Sequence, residues 1–164
     1  MQNTHDKINL LGNKMLKNID TRLNADVLYA LQAMGHGDEL IISDANFPAD
    51  TIARQSRLGH LLRIDTATTA DAVEAVLTVL PLDTFVEHTA HRMEMVDDPH
   101  KIPPVQSEVQ KVIDAAEDRP FPMGSIERFA FYERAKQAYC VIQTGERRFY
   151  GCIVITKGVI EPGA

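Results

Sequence analysis

The apolar positions of this chain change their spacing several times, and each change marks an element. In "ADVLYALQAM" (25–34), Val27, Leu28, Leu31 and Met34 fall on one face of a helix. Asn24 is placed to cap that helix and Gly35 to end it. "ELIISD" (39–44) is short, apolar and β-branched, which suits a strand covered on both faces. "ANFPADTIARQS" (45–56) reads as a loop punctuated by Pro48, and "HLLRID" (60–65) as a second strand. A helix follows in "ADAVEAVLTVL" (70–80), capped by Thr69 or a neighbouring threonine and ended by Pro81.

"TFVEHTAHRMEMV" (84–96) alternates in part and reads as extended. "PPVQSEVQKVIDAAE" (103–117) opens with prolines, which a helix accepts only in its first turn, and carries Val105, Val109, Val112 and Ile113 as a stripe. "RFAFYERAKQA" (128–138) reads as a further helix, though its aromatics would also suit a strand. The last segment, "YCVIQTGERRFYGCIVITKG" (139–158), sets two β-branched runs on either side of Gly145 and a charged turn, the pattern of a hairpin or close pair. Short buried strands among helices predict a layered α/β domain.

Composition narrows the functional classes. The 164 residues suffice for one domain with a real core. A formal net charge of -6 and the lack of a basic run argue against nucleic-acid binding, which needs clustered Lys and Arg. No apolar run approaches a membrane span, and the polar start "MQNTHDKINLLGNK" has no apolar signal core, so a cytoplasmic protein is expected. Residues 1–14 read as a loosely held extension and 15–164 as the domain, with Met15 an alternative start. Cys140 and Cys152 lie in strand-like surroundings, and two reduced, buried thiols are expected.

The candidate chemistry falls in two places. His36 sits in "GHGDE", between glycines that let a ligand come close, and Asp44 ends the strand that follows. A turn that merely contains a histidine, with Asp44 starting an Asx-turn, explains the same residues equally well. Arg128 and Tyr132, four apart, share a helix face, and Tyr150 follows in "RRFYGC". His88 and His91 would share a metal on a helix but would point to opposite faces of a strand, and the context is strand-like. There is no phosphate-binding loop, no GxGxxG, no HExxH and no GxSxG, and no cofactor or metal is expected.

"MLKNIDTRLNADVLYALQAMGHGDELIISDANFP", "RFAFYERAKQA" and "TGERRFYGCIVITKGVI" together strongly resemble the fucose mutarotase family, a branch of the ribose-pyranase/fucose-mutarotase group. The resemblance runs in order from Met15 to about Ile160 and between 50 and 120 is mainly one of layout. It implies a single three-layer α/β/α domain with a mixed β-sheet. It implies interconversion of the α and β anomers of a free monosaccharide, L-fucose by subfamily, without metal or cofactor. A ribose pyranase-type activity on another sugar, or a non-catalytic monosaccharide-binding protein, is the alternative.

By the same resemblance His36 is expected to be the acid/base and Tyr132 a proton relay, while Asp44, Arg128 and Tyr150 hold the sugar beside Gly151 and Cys152. Asp38 is the local candidate to orient His36. Homo-oligomers are implied, decameric rings in bacterial relatives, with sites near subunit boundaries. One position departs: where the family usually reads Tyr-Gly-Asn, this chain reads Tyr150-Gly151-Cys152, and a thiol is a poor substitute for an amide as a hydrogen-bonding group.

Overall fold

A computed structural model describes residues 15–117 and 119–164; the proposed extension at 1–14 lies outside them. The order of elements is α1 (Ala25–Ala33), β1 (Glu39–Ser43), α2 (Ala49–Ala53), β2 (Leu61–Arg63), α3 (Thr69–Leu77), β3 (Ala90–Met93), α4 (Pro104–Ala116), β4 (Gly124–Ile126), α5 (Arg128–Gln137), β5 (Cys140–Gln143) and β6 (Ile153–Thr156). Most of these follow from local chemistry. Asn24 caps α1 by accepting from the Val27 amide at 3.0 Å. Thr68, the neighbour of Thr69, caps α3 by accepting from Asp71 N–H at 3.1 Å. Proline occupies the first turn of α4, where its missing N–H leaves no helical bond unmade.

The strands form one six-stranded mixed sheet in the order β2-β5-β1-β6-β3-β4. Here the expected hairpin fails. β5 and β6 are not neighbours, because β1 lies between them, parallel to β5 and antiparallel to β6. The segment joining β5 to β6 must therefore step over the end of β1, and that step brings Tyr150, Gly151 and Cys152 beside Asp44. The segment is held there by backbone bonds from Thr144 N–H to Ser43 C=O at 3.0 Å and from Ala45 N–H to Glu146 C=O at 2.8 Å.

β1 alternates between two cores rather than between core and water. Leu40 and Ile42 pack with Cys140, Ile142, Ile153 and Ile155 under α1, α3 and α4. Ile41 packs with Val141, Val154 and Cys152 under α2 and α5, around the fully buried Phe131. This is a three-layer α/β/α sandwich, and it explains why "ELIIS" shows no polar alternation. Phe131→Ala in such packing typically costs about 3–5 kcal/mol.

Three further expectations are corrected. The "loop" after β1 contains the short helix α2, whose start at Pro48 has no side-chain cap to betray it. The stretch 84–96 is a strand only from Ala90 to Met93. Gly35 does not supply the left-handed turn after α1: Met34 caps the helix in an extended conformation, and Gly35 N–H donates to Asp38 at 2.7 Å. Gly37 takes the positive φ instead, at 82°. No helix among the described residues is long and apolar enough to cross a membrane.

Candidate active site

At the end of the sheet where β1 finishes, a cavity of about 230 Å³ opens between the strands and α5. Asp44, Asn46, Phe47, Met93, Arg128, Tyr132, Phe149, Tyr150 and Cys152 line it. Five of the seven residues expected to form the site (Asp44, Arg128, Tyr132, Tyr150 and Cys152) meet here, from three separate parts of the chain.

Asp44 is the most constrained of them. It is 4% exposed, and its Oδ1 accepts from the amides of Asn46 and Phe47, both at 2.9 Å. Its Oδ2 accepts from Gly151 N–H at 3.1 Å and from the Cys152 thiol at 3.5 Å. Gly151 is needed for this closeness: a Cβ there would stand 2.9 Å from Thr69 Oγ1 and 3.3 Å from Asp44 Cβ. The Gly151 carbonyl accepts from Thr69 Oγ1 at 2.9 Å, so the turn is tied to α3 as well. Burial, and then the nearby Asp44 charge, push the Cys152 thiol well above the ordinary range, so the sulfur keeps its proton.

Tyr150 sits in the left-handed region at φ 64°, a strained conformation for a residue with a side chain. Two contacts hold it. Its carbonyl accepts from Gln106 Nε2 at 2.9 Å, and its phenol oxygen accepts from Val96 N–H at 3.3 Å. Gln106 is fully buried and also donates to the Met93 carbonyl at 2.8 Å, so one carboxamide from α4 braces two walls of the cavity. Across the opening, Arg128 Nε donates to the Tyr132 hydroxyl oxygen at 3.3 Å. Both phenols thus have an oxygen occupied as acceptor and an O–H left to donate into the cavity. The loop carrying Tyr150 is anchored by Glu146, 2% exposed. Burial pushes the Glu146 carboxyl up, but bonds from the Arg148 side chain and amide and from the Thr69 amide outweigh it and hold it below the usual range.

His36 is elsewhere. It precedes β1 and Asp44 follows it, so the strand alone separates them by roughly 16 Å. The imidazole is about half exposed, its Nε2 3.3 Å from Asp83 Oδ2 and its ring edge-on to Phe85 at 5.8 Å between centroids. Asp83 arrives there because Leu82 bridges Lys157 at the end of β6, with Asp83 N–H donating to Thr156 C=O at 3.2 Å. Asp83 is 3% exposed, and its other oxygen accepts from Phe85 N–H at 3.0 Å. The carboxylate that orients His36 is therefore Asp83; Asp38 is occupied in bonding Gly35.

The same end of the sheet holds His88 and His91. Because β3 begins at Ala90, His88 lies outside the strand and the two rings come together, centroids 5.8 Å apart, instead of facing opposite ways. Gly124 makes room for them: a Cβ there would lie 2.5 Å from His91 Cδ2. His88 Nδ1 lies 2.9 Å from the Pro122 carbonyl and so carries the hydrogen. Burial first, then the charges of Arg134 and His88, lower His91 to about 4.

A sequence model of the RbsD / FucU transport protein family matches residues 17–160. The chain belongs to this family. A fucose mutarotase of Bos taurus is 40% identical over 151 residues, covering 90% of this chain and 96% of that protein. An L-fucose mutarotase of Histophilus somni is 37% identical over 145 residues, covering 88% and 97%. The crystal structure of the Streptococcus pneumoniae fucose mutarotase in complex with L-fucose superposes with a TM-score of 0.79 at 32% identity, over 89% of this chain and all (100%) of the other.

Sequence reasoning missed Asp83, Asn46, Phe47, Met93 and Gln106. Asn46 and Phe47 were visible as part of "SDANFP", but nothing in the sequence marked them as cavity-lining. Asp83 meets His36 only through strand pairing, and Gln106 looks from sequence like any polar position on an amphipathic helix.

Proposed function

We propose that this protein is a cofactor-independent mutarotase that interconverts the α and β anomers of L-fucose. The observation that carries this reading is the cavity itself: one fixed carboxylate, one guanidinium and two phenols with free O–H groups around a space of about 230 Å³, in a chain of this family. Those are the partners a monosaccharide needs, since its hydroxyls both donate and accept. Met93, Phe47 and Cys152 add an apolar surface for sugar carbons.

Mutarotation opens the hemiacetal ring, turns the C1–C2 bond and recloses the ring. One group takes the anomeric hydroxyl proton while another protonates the ring oxygen. In this reading Tyr132, whose oxygen accepts from Arg128, passes a proton to or from the sugar. His36 is the principal acid/base of this reading, with Asp83 setting its tautomer. Since His36 lies at the far end of β1, it serves the cavity of a second copy of the chain, and the site is shared. Exposed aromatics at both ends favour this: Phe85 beside His36, and Phe129 and Phe149 beside the cavity. We take the assembly to be a closed homo-oligomer, with a decameric ring as the specific form, and a cytoplasmic setting to suit the free thiols of Cys140 and Cys152.

Saturation-transfer NMR on L-fucose at anomeric equilibrium tests the reaction: the protein should speed exchange, and no acceleration for fucose, ribose or related sugars sinks it. Co-expression tests the shared site. His36→Ala and Arg128→Ala chains should each be inactive alone. In equal mixture, about a quarter of the boundaries should regain both groups. No recovery would mean that both residues of one chain serve one site.

A further inference from the structure

We propose that the Cys152 thiol is a displaceable cap on Asp44, which a sugar hydroxyl replaces on binding, and that this makes the site tolerant of sugars lacking that hydroxyl. The inference rests on the sugar-binding reading above and concerns the same cavity.

A carboxylate offers about four lone-pair positions. Those of Asp44 meet four donors: the amides of Asn46 and Phe47 on Oδ1, and the Gly151 amide and Cys152 Sγ on Oδ2. Three of the four are backbone groups. Two belong to the turn that begins at Asp44, and the third is fixed because Gly151 is wedged against Thr69 and Asp44. Only the thiol hangs on a bond that can rotate. It is also the weakest donor of the set and lines the cavity from which a sugar would arrive.

For Asp44 to hold a sugar hydroxyl, one donor must leave, and the thiol is the one that leaves at least cost. A hydroxyl bonded to a carboxylate is short and charge-assisted, so exchanging S–H for O–H favours the complex. No covalent bond changes. The proton stays on sulfur, and the freed sulfur gives the sugar a polarizable apolar neighbour.

The consequence concerns specificity. A site built to bond a hydroxyl rejects analogues that lack it mainly because a buried polar group is then left unpaired. Here the thiol refills the position, so Asp44 is never left short of a donor. A deoxy analogue lacking that hydroxyl loses one bond without leaving a bare carboxylate.

Infrared spectroscopy of the S–H stretch tests this on the unaltered protein, with the Cys152→Ala chain identifying which band is Cys152. Saturating L-fucose should move that band to the position of an unbonded thiol. In the exchange assay, Cys152→Ser, whose hydroxyl grips Asp44 harder, should raise KM several-fold. Cys152→Ala, which frees one of the two occupied positions on Oδ2, should lower it, with kcat changing less in both. The alanine chain should also discriminate more sharply against monodeoxy fucoses. A band unmoved by bound fucose, or a KM raised alike by Ala and Ser as loss of packing would do, overturns the cap. Absence of any fucose binding by calorimetry overturns the sugar reading itself, and the cap with it.

Discussion

The two ends of β1 are built in opposite ways. At its C-terminal end Asp44 is 4% exposed, with donors on both oxygens and its neighbours locked by Gly151, Thr69 and Gln106. At its N-terminal end His36 is half exposed, touches one carboxylate at 3.3 Å and one phenyl ring, and stands on a turn with a left-handed glycine. One end holds its carboxylate by donors on every side; the other presents a half-exposed imidazole with one carboxylate and one ring beside it. Binding needs fixed geometry and proton transfer needs a group with a partner and room to meet the substrate. In the proposed function the two requirements fall at opposite ends of β1, and that is why a shared site suits it.

Removing the anchor of each end breaks the contrast most directly. Asp44→Ala strips the acceptor from three amides, two of them buried, and should lower unfolding stability by about 3 kcal/mol or more while abolishing sugar exchange. Chemical denaturation and saturation-transfer NMR on the same sample read both effects. His36→Ala should slow exchange by about 10²–10⁴, yet leave stability within about 0.5 kcal/mol of the parent. Equal stability losses at the two positions would show that the ends are not built differently after all.

Gln106 sharpens the comparison on the rigid side. Gln106→Leu keeps the volume but leaves the Met93 and Tyr150 carbonyls without a donor. It should cost about 2 kcal/mol and let Tyr150 relax from its φ of 64°. The expected kinetic sign is a KM for fucose raised several-fold with kcat close to that of the parent, because the brace shapes the cavity without touching the reacting atoms. A lower kcat at unchanged KM would give Gln106 a different role.

These residues also show where the sequence was legible. Periodicity, caps and first-turn prolines located the helices over 25–33, 69–77 and 104–116, because each carries its own local signal, whereas the helix over 128–137 was read without a stripe or a cap to mark it. Adjacency misled at the C-terminus. Two β-branched runs close in sequence read as a hairpin, but the partner that intervenes, β1, comes from far earlier in the chain. The cavity was legible only through resemblance, since Asp44, Arg128, Tyr132 and Tyr150 are ordinary residues until the sheet order brings them together. The His36–Asp83 contact was invisible for the same reason. It exists because Leu82 pairs with Lys157, and a two-residue bridge leaves no pattern in either segment.

The smallest effect is expected from pH, and it belongs to the open end. His91 is lowered to about 4 from the usual 6.5, by burial first and then by Arg134 and His88. Glu39, bonded to Arg134, opposes the shift only in part. The native chain therefore keeps this ring neutral at pH values where the unfolded chain protonates it. Above about pH 6.5 neither state takes the proton and stability is unaffected. As pH falls from there toward 4, the unfolded state gains a proton that the native state refuses, and stability declines. The full shift corresponds to about 3 kcal/mol. The ring is only half-buried, so solvent screening reduces the expected loss to about 1–2 kcal/mol. His91→Gln removes the titrating group, so its unfolding free energy should fall less between pH 7 and pH 4.5, by about that amount. Identical slopes for the two chains would mean that His91 takes its proton equally well folded and unfolded. The rings beside Gly124 would then be more open to water than their packing indicates.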